Sequence, residues 1–351
     1  MVYEVMILSI ILIGIYIYII FKNKATADNI FLTISFLILF IVSGFRKNVG
    51  VDFRNYEAIF RQHTNNNFFD YSYVDKDYGY ALLNKIIALF TNNTQWVFIV
   101  VSFITIILFI IFIKRYSTNM LLSVYLLITF NFYFDAMNIQ RQFIAIAICT
   151  LSIKYIINED FKRFCLVILV AILIHKSALI FFPMYFISKI NLNVKKICIY
   201  IVLGCAGSLL INKIIYFMRN KFYSDYDSVA WGMQGLGIGL IIIIPVFIFI
   251  IAFMMKDKLI EENPENNVFL NLLFCACVCF LLSTIISNFT RIAEYFYIVV
   301  IIFIPRMISV IKDYRIRYNI YLLVMFISFV WFYKTTLQGN MNGVLPYKIG
   351  F

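Results

Sequence analysis

Charge is scarce in this sequence. Of 351 residues only 14% are Asp, Glu, Lys or Arg, against 63% hydrophobic and 19% aromatic. An ordinary soluble domain of that size has no interior large enough for so much apolar surface, so a soluble fold is excluded. Proline and glycine are also few, at 5 and 13, and no Pro/Gly linker, internal repeat or low-complexity tract breaks the chain. Residues 1–351 read as one polytopic membrane domain. Cysteine gives no framework either: all seven lie in or beside apolar runs, which argues against disulfides. Cys275, Cys277 and Cys279 resemble a metal cluster, but on a helix Cys277 points away from the face that the other two share.

What the sequence has instead is apolar runs without charge. Each is long enough, at about 1.5 Å per residue, to approach the roughly 30 Å of a bilayer core. The first, Val5 to Phe21, has neither a basic leader nor a small-residue cleavage site and reads as a span rather than a signal peptide. The others expected are Ile30 to Phe45, Trp96 to Ile113, Met120 to Phe134, Phe143 to Ile157, Phe164 to Ile174, Ser177 to Ile187, Ile197 to Ile211, Leu236 to Met255, Val268 to Ile286, Ile292 to Ile304 and Ile320 to Phe332. That makes an all-α chain of about twelve transmembrane or partly crossing helices. Two are short and are expected to break at His175.

The formal net charge is +12, but Lys and Arg sit in small clusters between apolar runs, which points to membrane orientation and away from nucleic acid. Alternate connections carry Lys22 and Lys24, Lys114 and Arg115, Lys154, Lys162 and Arg163, and, near the C-terminus, Arg306, Lys312, Arg315 and Arg317. These short loops are expected inside. Both termini and two longer segments, about 46–95 and 212–235, are then outside. In the first, Leu83, Ile86, Ile87 and Phe90 share a helical face, as in a helix lying in the membrane interface.

Charged side chains near membrane depth are costly and tend to mark sites. Arg46, Arg141, His175 and Arg291 fall at the outer ends of different spans, where orientation does not call for positive charge. Arginine's planar fork grips phosphate in a bidentate manner. Asp135, Asn138 and Gln142 would share a face if the helix of Arg141 extended that far; Asn288, Glu294 and Tyr295 are spaced to hold Arg291. Asp52, six residues after Arg46 and past a turn at Gly50, is a candidate general base or an ion-pair partner of Arg46 or Arg54. His175, among apolar neighbours, is the other candidate base. His63 is assigned no role. Two Asp-x-Asp pairs, Asp75 with Asp77 and Asp225 with Asp227, suggest a divalent metal, but in tyrosine-rich polar segments they read first as wet loop.

An ordered set now stands out: Arg46, Gly50, Asp52 and Tyr56; Gly79 and Tyr80; Arg141 and Gln142; His175, Ser177 and Ala178; Arg291 with Tyr295 and Phe296. It resembles the EpsG family, the Wzy-like polymerases of bacterial surface polysaccharide, over most of the chain. Phe53 departs from it, standing where such sequences often carry Tyr. The resemblance implies a GT-C-like membrane glycosyltransferase, multi-pass in the bacterial cell membrane. It would join undecaprenyl-pyrophosphate-linked repeat units of a capsule, exopolysaccharide or O-antigen on the outer face, with a lipid-linked donor and acceptor. Other polysaccharide-assembly proteins are conceivable partners. Arg46, Arg141 and Arg291 would bind the donor pyrophosphate, Asp52 or His175 would act as base, and Tyr56, Gln142, Glu294 and Tyr295 would support them. No cofactor is called for. A polysaccharide ligase or O-acyltransferase, and a lipid-linked sugar flippase, are the rival readings.

Overall fold

A computed structural model of the chain describes residues 2–72, 74, 77–200, 202, 239–284 and 288–350. The regular elements among them are helices, with one antiparallel bridge between Arg46 and Ile349. Among the described residues, four helices are long and apolar enough to cross a membrane, or up to seven if each of three bent pairs makes one span. The expected span Ile197 to Ile211, the outer segment 212–235, Asp75, Asp225 and Asp227 lie wholly or mostly outside the described residues.

The chain divides into two compact units, residues 1–179 with 301–351, and residues 180–300. In the first, α1 (Val2–Ile20), α2 (Lys24–Gly44) and α5 (Gln95–Tyr116) are long spans, and α16 (Tyr314–Phe332) continues into a π turn at Tyr333–Gln338. Their ends are set locally. Asn23, Asn119 and Asp313 each accept the backbone N–H of a first-turn residue, satisfying donors that a helix leaves unpaired. The interior is built on α5, α6 (Met120–Thr129) and α8 (Gln140–Ile157), which are buried over most of their length. α1, α2 and α16 bury only one side each and expose rows of Leu, Ile and Phe, as helices bathed in lipid should.

The expected span from Met120 to Phe134 is broken. α6 ends at Thr129, Asn131 takes a left-handed φ of 70°, and α7 (Phe132–Asn138) leaves at 50° to α6. The kink is held from both ends of one amide. Asn131 Nδ2 donates to Thr335 Oγ1 at 2.8 Å, and its Oδ1 accepts from Thr336 Oγ1 at 2.7 Å. A second break at Ile139 separates α7 from α8, so Asp135 and Asn138 do not share a helical face with Gln142 as the sequence suggested.

The segment expected outside, about 46–95, holds two helices. α3 (Phe53–Asn65) was not foreseen; it buries Phe53, Tyr56, Phe60 and His63 along one side. Phe53 stacks on Phe98 at 4.0 Å between ring centres, so the position lacking the family's hydroxyl serves the core. α4 (Tyr78–Ala88) falls where the interfacial helix was expected. Asn84 and Lys85 are fully buried, whereas Leu82, Ile86, Leu89 and Phe90 are exposed. Lys85 Nζ donates to the carbonyls of Asn67, Phe68 and Asp70 and lies 4.0 Å from the Tyr71 ring centre, anchoring the connecting loop.

α9 (Phe161–Ile174) ends where His175 turns extended, and a 3-10 turn follows over Lys176–Phe181, so the break falls at the residue expected. The second unit contains α10 (Met184–Ile187), α11 (Leu240–Met254), α12 (Lys256–Glu262), α13 (Asn266–Leu282) and α14 (Phe289–Tyr297). Asn267 and Asn271 of α13 donate to the carbonyls of Ser188 at 3.0 Å and Ile190 at 2.9 Å. α15 (Val300–Ser309) returns to the first unit, where Arg306 Nε donates to Tyr116 O at 2.7 Å.

Candidate active site

One end of the first unit is laced together by backbone. Gly50, at φ 105°, donates its N–H to Gly343 O; Lys47 N bonds Lys348 O and Gly350 N bonds Phe45 O. A Cβ at residue 50 would lie 2.7 Å from Asn138 Oδ1, so glycine is required there by both conformation and space. The C-terminal strand-like tail therefore ties the turn after α2 to α7, beside the first turn of α1, where Tyr3 OH donates to Val344 O.

Arg46 lies inside this lacework. Its guanidinium is 1% exposed and donates to the carbonyls of Ser43, Val49 and Met137, and its own carbonyl accepts from Gln95 Nε2. That arrangement departs from the sequence reading: the Arg46 donors are directed at three backbone carbonyls and the Ser43 and Ser102 hydroxyls inside the unit, not at an open site for phosphate. Asp52 pairs with neither Arg46 nor Arg54. Its partly exposed carboxylate accepts from Asn55 Nδ2 at 3.3 Å and adds negative charge beside Tyr56.

The polar centre of the unit is Asp77, which the sequence reading left in a wet loop. Its side chain is 2% exposed, and three groups converge on it from elements far apart in sequence. Oδ2 lies 2.8 Å from Arg141 Nη1 at the start of α8 and 3.0 Å from His175 Nδ1 at the end of α9, while Oδ1 accepts from Lys176 N at 3.2 Å. Burial pushes the Asp77 carboxyl up, but the His175 hydrogen bond, the charges of His175 and Arg141 and the Lys176 N–H outweigh it and hold the group below the usual carboxylate range. Arg141 and His175 keep 25% of their side chains exposed, so the Asp77 carboxylate is sealed while its two side-chain partners reach solvent.

Two local features make the cluster possible. Asp77 has a left-handed φ of 60° at the head of α4, which turns its carboxylate back over α9. Two residues on, a Cβ at Gly79 would meet the Leu173 carbonyl at 2.8 Å, so α4 rests directly on the backbone of α9. Glycine at 79 is thus the positional requirement behind the pairing of Asp77 with His175.

Tyr56, 5% exposed on α3, is also hydrogen-bonded to Arg141, and its ring meets Tyr80 edge-on at 5.9 Å. The Arg141 guanidinium stands 6.0 Å from the Tyr80 ring centre. Of the residues singled out in the sequence, Arg141, His175 and Tyr56 come together, Asp52 stands next to Tyr56, and Gln142 is buried one residue along α8. Arg291 and Glu294 lie on α14 of the second unit, Arg291 exposed and Tyr295 buried in that unit's core. The missed residue is Asp77. The signal that could have found it was its place two residues before the Gly79–Tyr80 pair. Among the described residues, no three His, Cys, Asp or Glu side chains gather as a metal site.

A family model matches the chain from residue 29 to 349. The chain belongs to the EpsG family. This is the family of exopolysaccharide, Wzy-like polymerases, and the match takes in both units and every residue of the Asp77 cluster. No curated protein and no solved structure matches the chain. Membership and the apolar helices together make it a membrane protein of the polysaccharide-polymerase type.

Proposed function

We propose that this EpsG-family chain joins undecaprenyl-pyrophosphate-linked oligosaccharide repeat units into surface polysaccharide on the outer face of the bacterial cell membrane. Its helices would form a GT-C-like array in which the shorter and bent elements make up the expected twelve. The observation that carries the reading is the meeting of Arg141 and His175 on the buried carboxylate of Asp77. An anchored arginine and an oriented imidazole are the two groups that glycosyl transfer from a pyrophosphate needs.

The acceptor hydroxyl oxygen forms a bond to the anomeric carbon of the donor sugar as the bond from that carbon to the pyrophosphate oxygen breaks. The hydroxyl proton passes to His175 Nε2. Asp77 accepts the Nδ1 hydrogen, which fixes the tautomer that leaves Nε2 as the base and stabilises the imidazolium once formed. Polyprenyl pyrophosphate departs with the bonding electrons, and its growing charge falls to Arg141. A guanidinium has five N–H donors, and its contacts with Asp77 and Tyr56 leave others to point at phosphate. His175 is preferred as base over Asp52 because its ring is oriented by a buried partner. Arg291, supported by Glu294 and Tyr295, remains a proposed phosphate ligand on the sequence pattern alone.

The test is glycan analysis of a deletion strain complemented with Arg141→Ala or His175→Ala. Single repeat units on lipid, with the variant protein still in the membrane, are expected. Polymer of normal length from both variants sinks the assignment. Long unattached chains would indicate a ligase instead, and loss of outward display of the single unit a flippase.

A further inference from the structure

At the other end of the first unit is a groove that the polymerisation reading does not use. The 21 residues of α2, at about 1.5 Å each, put it about 30 Å from the turn at Arg46. It has a volume of about 980 Å³ and is walled by the starts of α2, α6 and α16 and by α15. Its charged lining residues are Lys24, Arg315 and Arg317, with no carboxylate among them. Among the described residues none of the three is in an ion pair; Arg315 Nε donates to Tyr314 OH at 3.0 Å. The helix ends nearby are already capped by Asn23, Asn119 and Asp313, so an incoming anion is met by side-chain cations and not by bare N–H groups.

Leu122, Pro305 and Ile308 give the groove an apolar part as well. From the groove an exposed row runs along α16, Tyr314, Tyr318, Leu322 and Phe326, at the four-residue spacing that keeps one helical face, with exposures of 65, 61, 45 and 66%. A soluble phosphate would use the cations and leave this track bare. An amphiphile uses both.

We infer that this groove binds the phosphate headgroup of an anionic lipid, with an acyl chain lying along the Tyr314–Phe326 face of α16. The lipid comes from the leaflet on the side where Lys22, Lys24, Lys114, Arg115, Lys312, Arg315 and Arg317 gather. That side is the cytoplasmic one by the distribution of basic loops, and its leaflet is rich in anionic headgroups. The site is separate from the Asp77 cluster and does not depend on the reaction proposed there.

The experiment is native mass spectrometry of the purified full chain in detergent, titrated with dioleoyl phosphatidylglycerol or dioleoyl phosphatidylcholine. Wild type is expected to retain phosphatidylglycerol in preference. With each basic residue at an anionic surface worth about fivefold, Arg315→Gln with Arg317→Gln should weaken that retention by about thirtyfold. Lys47→Gln, exposed at the other end of the unit, should leave it unchanged. The pair Arg315→Lys with Arg317→Lys keeps the charge and should keep the preference, which separates lost charge from lost fold. Equal retention of the two lipids, or undiminished phosphatidylglycerol on the Gln pair, overturns the site. Displacement of the lipid by inorganic pyrophosphate at equal concentration overturns the lipid assignment in favour of a soluble anion.

Discussion

His175 Nδ1 lies 3.0 Å from Asp77 Oδ2, across 98 residues of sequence and between the last turn of one helix and the first of another. The same oxygen takes Arg141 at 2.8 Å, so one buried carboxylate holds both side chains. Asp77→Asn keeps the shape but replaces the acceptor charge with an amide that competes for the wrong tautomer. Polymer formation should fall by about 10²- to 10⁴-fold, the range general-base catalysis contributes, with the protein still inserted. A quantitative glycan ladder at matched expression checks it; wild-type polymer from Asp77→Asn would show that the carboxylate has no part in the reaction.

Gly79→Ala tests the same pairing without touching a polar atom. The new methyl would sit 2.8 Å from the Leu173 carbonyl carbon and oxygen, both backbone, so α4 must lift away from α9. Asp77 is then drawn off His175, and the variant should match Asp77→Asn in the ladder. Leu82→Ala, on the exposed face of the same helix, should be close to wild type. Equal activity of Gly79→Ala and Leu82→Ala would separate helix contact from catalysis.

How legible the site was depended on which residues break a local rule. Arg141 and His175 stood out because an ionisable group beside an apolar run is costly and needs a reason. Asp77 did not, because its importance lies in a left-handed backbone and in the approach of α4 to α9, neither of which has a sequence period. The spans were legible from apolar length, while the kink at Asn131 was not: its cause is a pair of hydrogen bonds from residues more than two hundred positions away. For α4 the helical period was legible, and Ile86 and Phe90 of the face read as lying on the membrane are exposed, while Ile87 is buried. In lipid the apolar side points outward, and Lys85 turns inward to meet three loop carbonyls.

Arg46 and Arg141 should separate by phenotype. Arg46 is sealed among the carbonyls of Ser43, Val49 and Met137, and Arg46→Lys cannot reach all three from one ammonium. Unsatisfied buried carbonyls should cost about 3 kcal/mol, seen as a lower melting temperature and reduced yield. Arg141→Lys, at a partly exposed position, should melt within a few degrees of wild type yet make little polymer, since a lysine cannot hold Asp77 and Tyr56 and also grip a phosphate. Thermal melts of the two purified variants beside their ladders decide it, and an unchanged melt for Arg46→Lys would return that arginine to the ligand-binding candidates.

His63 makes the α3–α4 layer sensitive to acid. It is buried on α3, and burial first, then the nearby Lys85 charge, lowers its pKa from 6.5 to about 4. Because the folded value is depressed, the unfolded chain takes up the proton first as pH falls. The contribution of neutral His63 to local stability is therefore complete above about pH 6.5, declines between about 6.5 and 4, and is level below that. The loop anchored by Lys85, residues 67–71, packs in the same layer and should open along with it. Limited proteolysis of this loop should accelerate across that window in the wild type. In His63→Gln, which cannot be protonated, the rate should hardly change over the same interval. If both proteins accelerate alike, the acid sensitivity belongs to a group other than His63, and not to Asp77, whose depressed carboxyl gives up its stabilising charge only at pH below the ordinary carboxylate value of 3.8.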